Sequence, residues 1–317
     1  MIFKNGIDLQ QNLVEYINTS TSIYIFSAYI KIDTLKSLIE TQSNVKAVFV
    51  RWDPKDIIQG SSDLEIYPYL REKNIPLFRN SRLHLKAYLD EFKRCFLTSA
   101  NISSRALNLP EFEKYNYEIG TIAENLDIED RLYFNMIESD SMLITDNIYN
   151  QLLEQLPDLK LEFPDETNFD FKFEESNKNF LISSLPMSKS ILSLCEIYEN
   201  NESASGIELN CMLHDLALYK IPLGLSKNIL LEKLKTAFFD HPFIIAFLEK
   251  LSLSNEIYFG TAKEWIHKNF TNVPLPRKWE ITENIQILYK WFVELGDGMF
   301  IADVPGAYSE RLSVINH

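Results

Sequence analysis

The 317-residue sequence predicts an α/β domain, a mixed sheet flanked by helices, followed by a mainly helical domain. Three observations carry this. Strand-like and helix-like patterns alternate through the first half, the layout of a sheet whose crossovers are helices. A stretch rich in Asp, Glu and Asn, with Pro157 and Pro164, interrupts the pattern, and from Phe180 onward the periodicity is helical. The length also suits two domains, since single cores stop growing near ~250 residues.

Asp8-Leu9-Gln10-Gln11 reads as a helix cap, with Leu9, Leu13, Tyr16 and Ile17 as the stripe behind it. Ser22 to Ile30, rich in β-branched and aromatic residues, reads as a strand, Ile32 to Glu40 as a helix and Val45 to Arg51 as a buried strand. A loop with Pro54 and Gly60 leads to a helix from about Ser62 to Lys73 and a short strand around Pro76 to Phe78. Leu83 to Leu89, a turn at Asp90-Glu91-Phe92-Lys93 and Arg94 to Ser99 form a hairpin. Asn116 to Ile122 is a strand and Asp127 to Asp140 a helix.

This domain is set at 1–156, with an acidic connector at 157–179 in which the alternation of Phe169, Phe171 and Phe173 suggests an ordered strand. The second domain, 180–317, has helices over Gly206 to Tyr219, Ser226 to Phe239 with Ser226 as N-cap, and His241 to Ser252. A capping box, Thr261-Ala262-Lys263-Glu264, opens a fourth helix, and Thr282 to Leu295, stopped by Gly296, is a fifth. Met299 to Asp303 and Tyr308 to Val314 make a hairpin, and a long helix followed by a hairpin suggests a winged helix. The aromatic run that includes Phe238, Phe243, Phe247, Trp265, Trp279, Trp291 and Phe292 has helical spacing, which favours core packing over an exposed patch.

Hydrophobic content of 46% with 24% charged residues is that of a globular chain with a substantial core. The N-terminal residues lack the apolar run of a secretory signal, and Tyr16 to Ile30, the longest uncharged run, is too short and too polar to span a bilayer. Cys95, Cys195 and Cys211 are odd in number and lie in apolar contexts, which suits free thiols in a reducing cytoplasm. The net charge is −14. Lys and Arg supply most nonspecific affinity for nucleic acid, so a nucleic-acid function here requires a local basic groove, or an oligomer that concentrates one.

Alternation along the first hairpin strand places His84, Lys86 and Tyr88 on one face, with Leu83, Leu85, Ala87 and Leu89 directed into a core. Alone, a His and a Lys at a strand start are more often surface residues than catalysts. Their downstream partners change that balance. The hairpin returns Ser99 and Asn101 to the neighbourhood of His84 and Lys86, and Asn116-Tyr117-Glu118-Ile119-Gly120 adds a carboxylate, with Tyr117 and Ile119 facing the other way.

Here the sequence resembles the phospholipase D superfamily, whose signature is H-x-K, a following Asp, then G-S-x-N, with a later Asn-x-Glu in nuclease members. His84-Leu85-Lys86, Ser99-Ala100-Asn101 and Asn116-Tyr117-Glu118 match, over a region of about Ile2 to Asp140. Arg51-Trp52-Asp53-Pro54 with Gly60-Ser61-Ser62-Asp63-Leu64-Glu65 is also similar to the subgroup containing restriction endonucleases. Two positions depart: Thr98 stands where Gly is usual, and Asp90 lies four rather than five residues after Lys86, in the turn, where a solvated side chain is expected.

The resemblance implies His84 as nucleophile, Lys86 and Asn101 holding nonbridging oxygens, Ser99 as a further donor and Glu118 orienting a histidine. No cofactor or metal is expected, the chain having no metal-ligand spacing of Asp, Glu, His or Cys. The chemistry needs two histidines, yet His214, His241, His267 and His317 each lack a Lys two residues on. Surface or capping roles are expected for His214 and His241 and an exposed helix position for His267. The resemblance therefore implies a homodimer through the first domain.

The resulting expectation is a cytoplasmic phosphodiesterase acting on DNA through a phosphohistidine, in restriction or phage defence. Phospholipid hydrolysis is the main alternative on the same apparatus. The second domain is assigned to DNA or partner binding. Lys263, Lys268, Arg277, Lys278 and Lys290 are its candidate basic surface, and recruitment by a partner ATPase or another defence component is the competing use.

Overall fold

Residues 1–108, 115–162, 180–200, 204–305 and 309–315 are described in this computed structural model, with backbone alone over 157–162. The chain divides into two compact units, Met1–Glu174 and Glu175–His317.

The first unit runs β1 (Phe3–Lys4), α1 (Leu9–Thr19), β2 (Ile23–Ser27), α2 (Ile32–Ile39), β3 (Val45–Val50), α3 (Pro54–Ile58), α4 (Ile66–Glu72), β4 (Leu77–Arg79), β5 (Lys86–Asp90), β6 (Arg94–Thr98), β7 (Ile119–Ala123), α5 (Ile128–Ser139), β8 (Met142–Leu143) and α6 (Asp146–Glu162). The sheet order is β1-β7-β6-β5-β2-β3-β4-β8, with β2, β3 and β4 parallel and every other pairing antiparallel. The parallel strands are near-continuous apolar runs because both their faces are covered. Leu9 and Leu13 of α1, Leu35 and Leu38 of α2, Leu70 of α4 and Leu152 of α6 share one core with Ile25, Val48, Tyr88 and Phe96. On the opposite face, Phe26, Phe49 and Phe78 stack in a row, and Phe134 of α5 packs on Phe26.

Several expectations are corrected. Pro54 opens the short helix α3, which interrupts the expected loop. Strand β5 starts at Lys86, not Leu83, because Leu83 donates to Asn80 in a preceding turn. Tyr88 is fully buried, so the Lys86–Tyr88 face is covered one step into the sheet. Strand β7 begins at Ile119, after the motif, and Tyr117 and Ile119 are exposed, with no core behind them. Helix α6 continues through Glu162, so the first residues assigned to the connector are helical; Phe169, Phe171 and Phe173 lie outside the described residues.

The second unit starts with a single 3-10 turn (Ile182–Ser184), then α7 (Ile191–Glu199), α8 (Gly206–Leu218), α9 (Lys227–Asp240), α10 (Pro242–Ser252), β9 (Glu256–Tyr258), α11 (Phe259–Asn269), α12 (Thr282–Leu295), β10 (Phe300–Asp303) and β11 (Arg311–Val314). Its sheet order is β10-β11-β9, all antiparallel. Helix, strand, two helices and a hairpin that pairs back onto the first strand is winged-helix connectivity. Helix α7 and strand β9 were not read from the sequence, and α11 starts at Phe259, so Thr261 lies inside it and no capping box forms there.

Phe238, Phe243, Phe247, Trp291 and Phe292 form the core of this unit, while Trp279 is exposed. Helix α12, which in a winged helix would enter a DNA groove, buries one face in the unit's core and exposes the other, with Glu283, Gln286, Lys290 and Val293 on it. Ile285, Leu288, Trp291, Phe292 and Leu295 are buried, the Trp291 indole donates to the Ser188 carbonyl at 2.8 Å, and Glu294 accepts from Ile191 N–H at 2.6 Å. Among the described residues no helix is long and apolar enough to cross a membrane.

Candidate active site

Strand directions bring the motif residues to one edge of the first unit's sheet. The carboxyl ends of β2, β3 and β4 meet the amino end of β5, the carboxyl end of β6 and the amino end of β7. Ser27 pairs with Lys86, Ala87 with Leu97 and Thr98 with Gly120, so the ends of four adjacent strands line up there. The chain has built β3 and β4 on one side of β2 and now returns to place β5 on the other. Such a switch leaves a crevice outside the strand ends, where open α/β sheets bind ligands.

His84 sits in the segment entering β5 and is exposed. Lys86 Nζ donates to the His84 carbonyl at 2.9 Å, which folds its side chain back over the residue before it. Asn101 Oδ1 accepts from Tyr29 N–H at 3.2 Å, leaving the amide nitrogen as the end able to donate. Ser99 donates its hydroxyl hydrogen to Glu118, and Glu118 also accepts from Asn116 Nδ2 at 3.4 Å. The structure therefore brings His84, Lys86, Ser99, Asn101 and Glu118 to one edge. It does not bring Glu118 into a hydrogen bond with His84: within this chain the carboxylate faces Ser99 and Asn116.

Thr98 has a backbone role. Its hydroxyl donates to the Ile119 carbonyl at 2.7 Å and accepts from Ala100 N–H at 3.1 Å. This bonding fastens the end of β6 to β7 and turns the side chain back onto the main chain. Asp90, expected to be solvated, is buried at the end of β5. It accepts from Thr21 and Ser22 N–H and from Arg94 Nε, each at 3.0 Å, so it ties the β5–β6 turn to the start of β2, at the sheet edge opposite His84.

Burial lowers the pKa of Lys86, nearby Glu118 opposes that shift, and the positive charge of Arg51 adds to it. Arg51, immediately after β3, thus reaches the field of the site. Asp56 and Tyr29 hold its guanidinium. In the sequence Arg51 stands out only as part of a family likeness, and Tyr29 belongs to no motif. The available signal was an apolar parallel strand followed at once by a polar side chain.

The other described histidines lie in the second unit. His214 bonds Asp215 at 2.9 Å and the Ser183 carbonyl at 3.0 Å, and His267 bonds the Pro276 carbonyl at 3.0 Å. His241, expected in a surface or capping role, stands at the N-cap position of α10, with its Nδ1 buried. Burial, with His214 nearby, lowers its pKa to about 4. His317 lies outside the described residues. A separate cavity of ≈ 330 Å³, lined by Ser188, Lys189, Ile197, Cys211, Glu283 and Ile287 among others, also belongs to this unit and contains none of the motif residues. Among the described residues no group of three or more His, Cys, Asp or Glu could hold a metal ion.

No protein-family model and no curated protein matches this chain. Among solved structures it is similar to Nuc from Salmonella typhimurium, described as a phospholipase D family member, at 13% identity and TM-score 0.36, over 46% of this chain and 99% of that one. It is also similar to NucT from Helicobacter pylori, at 17% identity and TM-score 0.30, over 49% of this chain and 94% of that one. A third is the phosphatidylserine synthase of Haemophilus influenzae Rd KW20, at 16% identity and TM-score 0.37, with 54% of this chain and 45% of the synthase covered.

Proposed function

We propose that this chain is a phosphodiesterase of the phospholipase D type that hydrolyses nucleic acid, with His84 as nucleophile. One observation carries the reading: an exposed histidine, a lysine, an oriented amide and a carboxylate converge on adjacent strand ends at the switch point of the sheet. A neutral His84 imidazole attacks phosphorus, and a protonated imidazole gives its proton to the leaving ester oxygen. Water then attacks phosphorus, losing a proton to the second imidazole as the P–N bond breaks. Lys86 and the Asn101 amide hold the nonbridging oxygens as negative charge concentrates there.

The second imidazole comes from a second copy of the chain, with both motifs meeting across a twofold axis. Supporting this, the β1–β7–β6 end of the outer sheet face is uncovered, with Ile2, Leu97 and Ile119 exposed beside the motif strands. In such a dimer Glu118 orients an imidazole across the axis.

Nucleic acid is favoured over phospholipid by the guanidinium groups along this edge. Arg51 directly follows β3, Arg79 ends β4, and Arg82 stands two residues before His84. A polyanion engages several of them, whereas a phospholipid presents one diester. Arg51, Arg79 and Arg82 already pair with Asp56, Asp53 and Asp140, so binding is weak and salt-sensitive. The exposed face of α12 carries Glu283 and only one basic residue, Lys290, which favours partner contact over groove reading for the second unit, consistent with recruitment to a defence component such as an ATPase in a reducing cytoplasm.

Cleavage of single- and double-stranded DNA and of phosphatidylcholine vesicles in excess EDTA, by wild type and His84→Ala, tests the reading, with native mass measured alongside. DNA cleavage by a wild-type dimer alone supports it; vesicle hydrolysis without DNA cleavage overturns the nucleic-acid assignment.

A further inference from the structure

The segment from Arg51 to Asp63 is unused in that mechanism, yet its bonds run to the phosphate site. Arg51 donates to Asp56 from Nε at 2.8 Å and from Nη2 at 2.5 Å, and Asp56 is almost wholly buried. The same guanidinium donates to the Tyr29 hydroxyl at 2.5 Å, with its Cζ 4.7 Å from the centre of the Tyr29 ring. Tyr29 in turn donates its backbone N–H to Asn101 Oδ1, and its carbonyl accepts from Ile102 N–H at 3.2 Å and Ser27 Oγ at 2.8 Å.

Further along the segment, Ser62 Oγ accepts from Ile30 N–H at 3.2 Å, Asp63 N–H donates to the Ile30 carbonyl, and the Asp63 carboxylate accepts from Ile32 N–H at 2.7 Å. Apart from the Arg51–Asp56 pair, every one of these bonds ends on residues 27–32, the stretch that holds Asn101 and Ile102. Resting on the site reading above, we propose that Arg51 is a positioning residue: clamped by Asp56, it fixes Tyr29, and Tyr29 fixes the Asn101 amide with its nitrogen toward the phosphate.

The geometry accounts for the choice of arginine. One planar fork meets both carboxylate oxygens and the phenol at once, whereas a lysine ammonium offers a single point of attachment and cannot span them. Arg51 lies two strands from Lys86, about 10 Å at ordinary strand spacing. It therefore acts on the scissile phosphate through Tyr29 and Asn101 and as a background positive charge.

The test is steady-state hydrolysis of bis(4-nitrophenyl) phosphate, a generic diester, by the full chain carrying Arg51→Gln, Asn101→Ala or both. Misplacement of a reacting group by a fraction of an ångström costs tens-fold in rate, so Arg51→Gln is expected to lower kcat about thirtyfold in the wild-type background. In the Asn101→Ala background it is expected to lower kcat less than about threefold, since the group it positions is gone. Tyr29→Phe, which keeps the Arg51–Asp56 pair, shows the same dependence on Asn101 with an unchanged melting midpoint, and serves if Arg51→Gln fails to fold. Equal losses in both backgrounds, or full restoration by Arg51→Lys, overturn the proposal. Loss of activity in His84→Ala alongside unaffected Arg51 and Tyr29 variants refutes this inference alone; activity retained by His84→Ala refutes the site reading itself.

Discussion

Ser99 and Glu118 are joined across the β6–β7 pair: the Ser99 hydroxyl donates to the carboxylate, while its oxygen accepts from Ile119 N–H at 3.1 Å. With that hydrogen committed, Ser99 serves Glu118 first and phosphate second. Glu118→Gln is therefore expected to lower kcat at least about a hundredfold and Ser99→Ala only about tenfold. Steady-state kinetics on a short oligonucleotide decides it, and the reverse order would make Ser99 the direct phosphate donor.

Lys86 is held at a lowered pKa, chiefly by burial and further by Arg51. Its ammonium is present below that pKa and lost as pH rises through it, so kcat/KM should fall on the alkaline side earlier than an ordinary lysine would dictate. Lys86→Arg removes that limb whatever its absolute rate, because a guanidinium stays charged. A pH–rate profile of both proteins is the check.

Asp90 is a structural tie. Asp90→Ala leaves two backbone N–H groups and the Arg94 guanidinium without their acceptor, at a cost of about 3 kcal/mol. Denaturant unfolding should show this loss, while kcat at low temperature changes less than about threefold.

Gly120 shares its strand with the end of the Glu118 motif, and a Cβ there would lie 2.6 Å from Leu9 Cδ1 and 2.8 Å from Phe96 Cε1. Gly120→Ala is expected to destabilise the first unit by about 2 kcal/mol through overpacking, read from its melting midpoint.

His241 gives the second unit an acid limit. Its folded pKa, about 4, lies below the ordinary 6.5, so the unfolded chain binds more protons between those values. Stability contributed by the neutral ring is present above pH 6.5 and lost as pH falls towards 4, amounting to about 3 kcal/mol in full. Calorimetry of the full chain should show the second unit's transition moving down over that window, with a shallower slope in His241→Gln.

The motif was legible because its chemistry is carried by residue types at short fixed spacing, and the β5–β6 hairpin because two apolar runs flank a short polar turn. What escaped the sequence was set by tertiary cover. Tyr88 alternates in phase with Lys86 but is enclosed one step deeper into the sheet, and alternation does not report where cover begins. Helix α3 has only five residues, too few for a helical period, and β9 has three and runs directly into α11 with no break residue between them. Asp90 reads as a turn residue until the loop before β2 is folded against it. Tyr29 carries no motif at all, and its part depends on bonds to Arg51 and Asn101, which are remote in sequence.

The mechanism proposed for the site requires a covalent bond between His84 and phosphorus. Wild-type protein mixed with a single-stranded oligonucleotide in EDTA, quenched in alkaline denaturant on the millisecond scale and mapped by peptide mass spectrometry, measures it directly. A phosphoryl-linked nucleotide on the His84 peptide, absent from His84→Ala, is the expected result; turnover without any adduct, or an adduct on another residue, would rule out His84 as the nucleophile.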